Sequence, residues 1–223
     1  MCVDTRQKLI AYIDEKKVIA IIRGADVDTC LKVAQALYDG GIRLVEVTFN
    51  NACPASFPET EQAIAAIQER FAGRMHVGAG TVTSVELVER ACKAGAEFII
   101  SPDVNPDVIR RTVELGLISI PGGCSPTEVL TAHSLGADYV KLFPAGNLGS
   151  GYLKAVRAPI NHVKLMVVGG VGEENLKEFL DAGAVGAGIG GSLVNKKHIK
   201  EGRFDLLTQA AERVVAIASS HGG

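Results

Sequence analysis

The chain has 223 residues, 47% of them hydrophobic and 22% charged, with 23 Lys and Arg set against 25 Asp and Glu. This length and apolar content exclude a mainly disordered chain and predict a single domain over residues 1–223. A formal net charge of −2 points away from a basic nucleic-acid binder and from a polybasic membrane anchor.

No run approaches the roughly 18 apolar residues of a membrane span. The charges Asp14, Glu15, Lys16 and Lys17 interrupt the first segment too early for a signal peptide. The 5 cysteines are odd in number and form no C-x-x-C, which predicts reduced thiols in a cytoplasmic protein. The 5 histidines fall into no ligand pair, so no metal and no cofactor are expected.

In chain order, a helix over Thr5–Lys16 precedes an alternation of short β-branched runs and helical periods. The strands are predicted at Val18–Arg23, Leu44–Phe49, His76–Ala79, Phe98–Ser101, Ile118–Pro121, Tyr139–Phe143, Lys164–Val168 and Ala184–Ile189. Between them lie helical stretches Asp28–Tyr38, Pro58–Arg70, Ser84–Ala94, Pro106–Leu115, Pro126–Leu135, Gly151–Val156 and Glu173–Asp181, with a last one from about Phe204 to Ala218. Gly40-Gly41, Gly95, Gly116, Gly136 and Gly183 close helices just before the next strand. Ser125-Pro126-Thr127-Glu128 and Asn105-Pro106-Asp107 open them. Eight such units predict a (β/α)8 TIM barrel with an extra N-terminal helix; an open doubly wound sheet is the competing arrangement.

Polar residues gather at the C-terminal ends of these strands, the catalytic face of a barrel. Lys141 sits in Asp-Tyr-Val-Lys-Leu-Phe-Pro. A desolvated lysine there loses proton affinity and becomes a nucleophilic amine able to form a Schiff base. The structural reading is a lysine that snorkels to solvent. Glu46 sits in Leu-Val-Glu-Val-Thr-Phe and reads either as a general acid/base tuned by burial or as a salt-bridge partner of Lys141. Arg23 at the end of the first strand reads either as a clamp for a substrate carboxylate or as an ion-pair partner of Glu46. The turns at Gly169-Gly170 and Gly190-Gly191-Ser192 present backbone N–H groups where barrels bind phosphate; tight βα turns would need the same glycines. The stretch Gly186-Ala-Gly-Ile-Gly190-Gly191 matches G-x-G-x-x-G only formally. Too little chain follows it to build a dinucleotide-binding unit.

One set of motifs runs through nearly the whole chain: Val-Ile-Ala-Ile-Ile-Arg23-Gly, Leu-Val-Glu46-Val-Thr, Val-Gly-Ala-Gly80-Thr81-Val, Ile-Ser-Pro102, Ile-Pro121-Gly122, Val-Lys141-Leu-Phe143-Pro144-Ala and Val-Gly169-Gly170-Val. In that order and spacing the sequence resembles the 2-keto-3-deoxy-6-phosphogluconate (KDPG) and 4-hydroxy-2-oxoglutarate (KHG) aldolases. The resemblance implies a homotrimeric barrel running metal-free class I aldolase chemistry in carbohydrate metabolism. Lys141 matches the Schiff-base lysine and Glu46 the proton shuttle. Thr81 and Pro102 match positions lining the pyruvate moiety, Phe143 the aromatic beside the lysine, and Gly169, Gly170, Gly190, Gly191 and Ser192 the phosphate cradle. The substrate implied is a phosphorylated keto sugar acid cleaved to pyruvate and glyceraldehyde 3-phosphate.

Asn50 stands where the gluconate branch carries arginine, and Val167-Val168-Gly169-Gly170 replaces its Pro-Thr-Gly-Gly. Both changes are similar to the 6-phosphogalactonate branch, which makes Arg23 the candidate carboxylate clamp. Gly191 also stands where many relatives place the serine of the last turn. Unphosphorylated 4-hydroxy-2-oxoglutarate is a further candidate substrate. The alternative is a sugar-phosphate isomerase or epimerase with Glu46 as base and no imine, and a non-catalytic phosphometabolite-binding barrel is the third reading.

Overall fold

A computed structural model describes residues 3–221. Helix α1 (Val3–Lys16) leads into the strands β1 (Val18–Ile22), β2 (Leu44–Thr48), β3 (His76–Gly80), β4 (Phe98–Ile100), β5 (Ile118–Ile120), β6 (Gly122–Gly123), β7 (Val140–Leu142), β8 (Leu165–Val168) and β9 (Gly186–Ile189). The connecting helices are α2 (Val27–Asp39), α3 (Phe57–Arg70), α4 (Val85–Lys93), α5 (Pro106–Glu114), α6 (Pro126–Ser134), α7 (Ala145–Arg157) and α8 (Leu176–Asp181). After β9 come the short α9 (Lys196–Lys200) and the long α10 (Phe204–Ser219).

All strand pairs are parallel, in the order β5-β4-β3-β2-β1-β9-β8-β7-β6. The two ends of that order, β5 and β6, are separated only by Pro121. One length of chain therefore pairs with β4 below the proline and with β7 above it, and the sheet closes on itself. The expected (β/α)8 barrel is borne out, and the open sheet is not.

The predicted strand Ile118–Pro121 is thus two short strands. Proline has no N–H to give a ladder, so it marks the point where the strand changes neighbour. Helix α7 starts earlier than the predicted Gly151, at Ala145, with a non-helical break at Gly149. Two short elements went unforeseen, the 3-10 turn Pro54–Ser56 and α9. The predicted helix openings hold: Ser125 and Glu128 form a reciprocal capping box on α6, and Asn105 caps α5.

Alternation along the strands sorts the core into two parts. Val18, Ala20 and Ile22 of β1 pack outward against the helices, while Ile19 points into the barrel. The barrel interior is filled by Ile19, Leu44, Phe98, Ile100, Ile118, Ile120, Tyr139 and Met166, closed at one end by Leu9 and Ile13 of α1. Gly78 makes room there: a Cβ at that position would lie 2.1 Å from the Phe98 ring. With the lower barrel filled, Glu46 and Lys141, two positions beyond Leu44 and Tyr139 on their strands, are left facing an open upper end.

Candidate active site

The upper end of the barrel holds a cavity of about 1040 Å³. Arg23, Glu46, Thr81, Pro102, Lys141, Phe143, Gly169, Gly170, Gly190, Gly191 and Ser192 all line it. Every site residue singled out in the sequence therefore converges on one space, although the set spans about 170 positions of chain.

Glu46 and Lys141 form its floor. Both are inward-facing members of short strands, and they are only 2% and 7% exposed. Burial raises the proton affinity of the Glu46 carboxylate, opposed by the positive charges of Lys141 and Arg23. Burial lowers that of the Lys141 amine, opposed by Glu46 and reinforced by Arg23. The two groups form no ion pair among the described residues, and Oε2 of Glu46 is buried with no hydrogen-bond partner. A salt bridge does not account for Glu46, and snorkelling does not account for a lysine this buried. An unpaired buried carboxylate oxygen is rare enough to require a use.

Arg23 is exposed at the rim and makes no hydrogen bond or ion pair among the described residues. Its reading as the close partner of Glu46 is not realised; it acts on Glu46 and Lys141 through space. The Phe143 ring lies 4.7 Å from Lys141 Nζ, within cation–π range. Gly169, with φ +84°, leaves room for that ring, since a Cβ there would approach it to 2.9 Å.

The turn after β8 is a built concavity. Gly169 and Gly170 take consecutive positive φ values of +84° and +73°. Gly146 N–H donates to Gly169 O (2.7 Å), Asn175 Nδ2 to Gly170 O (2.9 Å) and Ser192 Oγ to Val171 O (2.9 Å). The N–H and C=O of a trans peptide point in opposite directions. With those carbonyls held by the latches, the Gly170 and Val171 N–H groups point away from them, and both residues line the cavity. Such an arrangement binds anions. The Ser192 hydroxyl proton is committed to this latch, and Gly190, Gly191 and Ser192 all line the cavity.

Asn175 was missed by sequence reasoning. It holds both Gly170 O and Gly172 N–H, and its only sequence signal was an asparagine three residues beyond Gly172. Glu173 and Glu174 also line the cavity, Glu173 being paired to Arg213 at 2.8 Å. Thr81 was singled out, but its conformation was not foreseen: φ is +57°, an unusual value for a β-branched residue. Among the described residues no cluster of three or more His, Cys, Asp and Glu side chains could hold a metal ion, and no helix is long and apolar enough to cross a membrane.

A family model described as KDPG and KHG aldolase matches residues 9–210. The chain is 38% identical over 176 residues to a 2-dehydro-3-deoxy-6-phosphogalactonate aldolase of Escherichia coli, covering 78% of this chain and 83% of that one. A solved structure named "Native KDPGal structure" superposes with a TM-score of 0.83 at 34% identity, covering 92% of this chain and 95% of that one. A KDPG aldolase from Legionella pneumophila, solved with pyruvate captured as a covalent carbinolamine, superposes with a TM-score of 0.82 at 28% identity, over 92% of this chain and 97% of that one. With the barrel, the converging cavity residues and a family match over most of its length, the chain belongs to the KDPG and KHG aldolase family of aldehyde-lyases.

Proposed function

We propose that this aldolase cleaves a phosphorylated 2-keto-3-deoxy sugar acid, with Lys141 as Schiff-base nucleophile and Glu46 as proton shuttle. The observation that carries the reading is the pair itself: a buried amine of lowered proton affinity and a buried carboxylate of raised proton affinity on the floor of one cavity. Burial increases the neutral, nucleophilic fraction of Lys141. It also raises the proton affinity of Glu46, as suits a carboxyl group that gives and then takes a proton.

In the cleavage direction, Lys141 Nζ adds to the C2 ketone to give a carbinolamine. Glu46 protonates the departing hydroxyl, which leaves as water, and an iminium forms. Glu46 then takes the proton of the C4 hydroxyl, directly or through a water. The C3–C4 electron pair moves into the iminium, and the aldehyde product leaves. The enamine is protonated at C3, and hydrolysis releases pyruvate and frees the lysine. Thr81 and Pro102 flank the pyruvyl end, and Arg23 clamps the substrate carboxylate. The nest at Gly169–Val171, with the backbone of Gly190–Ser192, takes the phosphate. We further propose a homotrimer, from the family resemblance, acting in the cytoplasm, from the unpaired cysteine pattern.

Incubation with pyruvate, borohydride reduction and mass measurement test the reading. A single adduct on Lys141 is expected. An unmodified protein, under conditions that label a control lysine aldolase, would exclude it. Asn50, in place of the gluconate-branch arginine, supports the galactonate epimer as the better substrate. Equal or reversed kcat/KM values for the two epimers would overturn that assignment.

A further inference from the structure

The loop after β3 is held in an unfavourable conformation by side chains from both neighbouring strand ends. Thr81, the first residue past β3, sits at φ +57°. A β-branched residue reaches that region only when its surroundings over-determine it. Three consecutive carbonyls of the loop each have a side-chain donor. Asn51 Nδ2 donates to Thr81 O at 3.2 Å, Ser101 Oγ to Val82 O at 2.6 Å and Asn105 Nδ2 to Thr83 O at 3.4 Å. Asn51 Nδ2 also reaches Thr83 Oγ1 at 3.1 Å, so its amide spans the loop from both sides of Val82.

The three latches differ in what else they do. Ser101 is 2% exposed in the core, and Asn105 caps helix α5 through its carbonyl oxygen. Asn51 is exposed and has no such duty. It belongs to the loop that follows β2, the strand carrying Glu46. Its neighbour Asn50 is turned to its own loop, accepting from Ala52 N–H at 3.2 Å. Asn51 therefore ties the loop beyond the acid/base strand to the strained residue at the cavity wall.

We propose that Asn51 is a positioning residue for the pyruvyl end of the substrate, acting through Thr81. This rests on the Schiff-base reading above, in which Thr81 meets that end. The latch holds Thr81 in its left-handed conformation and so fixes where its side chain meets the cavity. Without it, Thr81 relaxes toward ordinary backbone angles, and the contact is lost from the ground state.

The test is borohydride trapping of pyruvate as a function of pyruvate concentration, in wild type, Asn51→Ala, Thr81→Gly and the double variant. Glycine accepts φ +57° without strain but has no side chain to position. Asn51→Ala is expected to raise the half-saturating pyruvate concentration about ten-fold, the scale of one or two lost hydrogen bonds, while trapping at saturation stays within about two-fold. In the Thr81→Gly background the Asn51 change is expected to add nothing. That dependence separates positioning through Thr81 from general loosening of the loop. Multiplicative effects in the double variant, or an Asn51→Ala curve that superimposes on wild type, would overturn the inference alone. A wild type that traps no pyruvate would overturn the Schiff-base reading and this inference with it.

Discussion

Gly80 leaves open the space that the Glu46 carboxyl group occupies. A Cβ on Gly80 would stand 2.7 Å from Glu46 Cδ and 2.8 Å from each carboxylate oxygen. Gly80 pairs in register with Thr48, one inward position above Glu46 on the neighbouring strand. The glycine is thus needed for a side chain's place, and its backbone angles are ordinary. In Gly80→Ala the yielding atoms are the far end of a side chain, so the barrel persists and the carboxylate moves. The expected result is a fall in kcat of about 100-fold, the cost of displacing a reacting group by an ångström or so. Pyruvate should still be trapped on Lys141. Steady-state kinetics beside trapping measure both, and an unchanged kcat would show that the carboxylate position is not critical.

Glu46→Gln separates chemistry from stability, and the pH dependence gives the sign. Glu46 holds its proton more tightly folded than unfolded. Its protonated form therefore stabilises the fold below the unfolded carboxylate value, and this contribution is lost as pH rises through the folded one. Above that point wild type carries a buried charge with an unpaired oxygen, a cost the amide avoids. The variant should match wild type near pH 4 and melt higher at neutral and alkaline pH. Removing the negative charge also removes the one influence that raises Lys141. The pH at which pyruvate trapping reaches half its plateau should therefore move down. Melting and trapping across pH 4–10 read both signs. A variant less stable than wild type at pH 8 would contradict the argument.

The sequence carried the alternation of elements and the face on which chemistry sits, because both follow from local pattern. Lys141 and Glu46 stood out as charges inside β-branched runs. Less legible were features that depend on what lies across the barrel. Pro121 reads as a strand end, and only closure of the sheet shows that it separates two pairing partners. Gly78 reads as a strand residue of low propensity and Gly80 as the residue just past the strand, yet each is required by a side chain opposite, Phe98 and Glu46. Asn175 reads as part of a helix over Glu173–Asp181, yet it stands before α8 and ties the preceding turn, and Asn51 reads as a loop polar, although its bonds reach another loop. The left-handed Thr81 had no local signal at all, because threonine is a residue that sequence rules place elsewhere.

The phosphate end should be separable from the imine end. Gly170 has φ +73°, and a Cβ there would lie 3.1 Å from Gly146 Cα. Both facts oppose alanine and would turn the Gly170 and Val171 N–H groups out of line. Gly170→Ala is expected to lower kcat/KM for the phosphorylated substrate about 30-fold, corresponding to roughly 2 kcal/mol of lost charge-assisted hydrogen bonding. Half-saturation by pyruvate alone should stay within about two-fold, since pyruvate carries no phosphate. Asn175→Ala, which frees Gly170 O and Gly172 N–H together, should follow the same pattern more weakly. Equal losses for pyruvate and for the phosphorylated substrate would place the anion elsewhere.

The opposite end of the barrel should govern stability and leave chemistry alone. Tyr139 lies two residues before Lys141 on the same inward face, but its ring is part of the lower core. Its single hydroxyl proton is shared between two acceptors on α1, Asp14 Oδ1 at 2.9 Å and Ile10 O at 3.1 Å, and Lys164 Nζ holds the other Asp14 oxygen at 2.6 Å. Alongside, Arg6 binds both oxygens of Asp138 at 2.6 and 2.8 Å, and Asp138 accepts from Ser119 N–H. These contacts fasten α1 across the mouth that the active site does not use. Tyr139→Phe keeps the ring and loses the hydroxyl, while Asp14 keeps Lys164. The expected cost is about 1 kcal/mol, or roughly 2–4 °C in Tm for a chain of this length. Both kcat and KM at 25 °C should stay within about two-fold of wild type. A loss of kcat without a fall in Tm would mean that the hydroxyl reaches Lys141 through the strand, and that the two ends of the barrel are coupled.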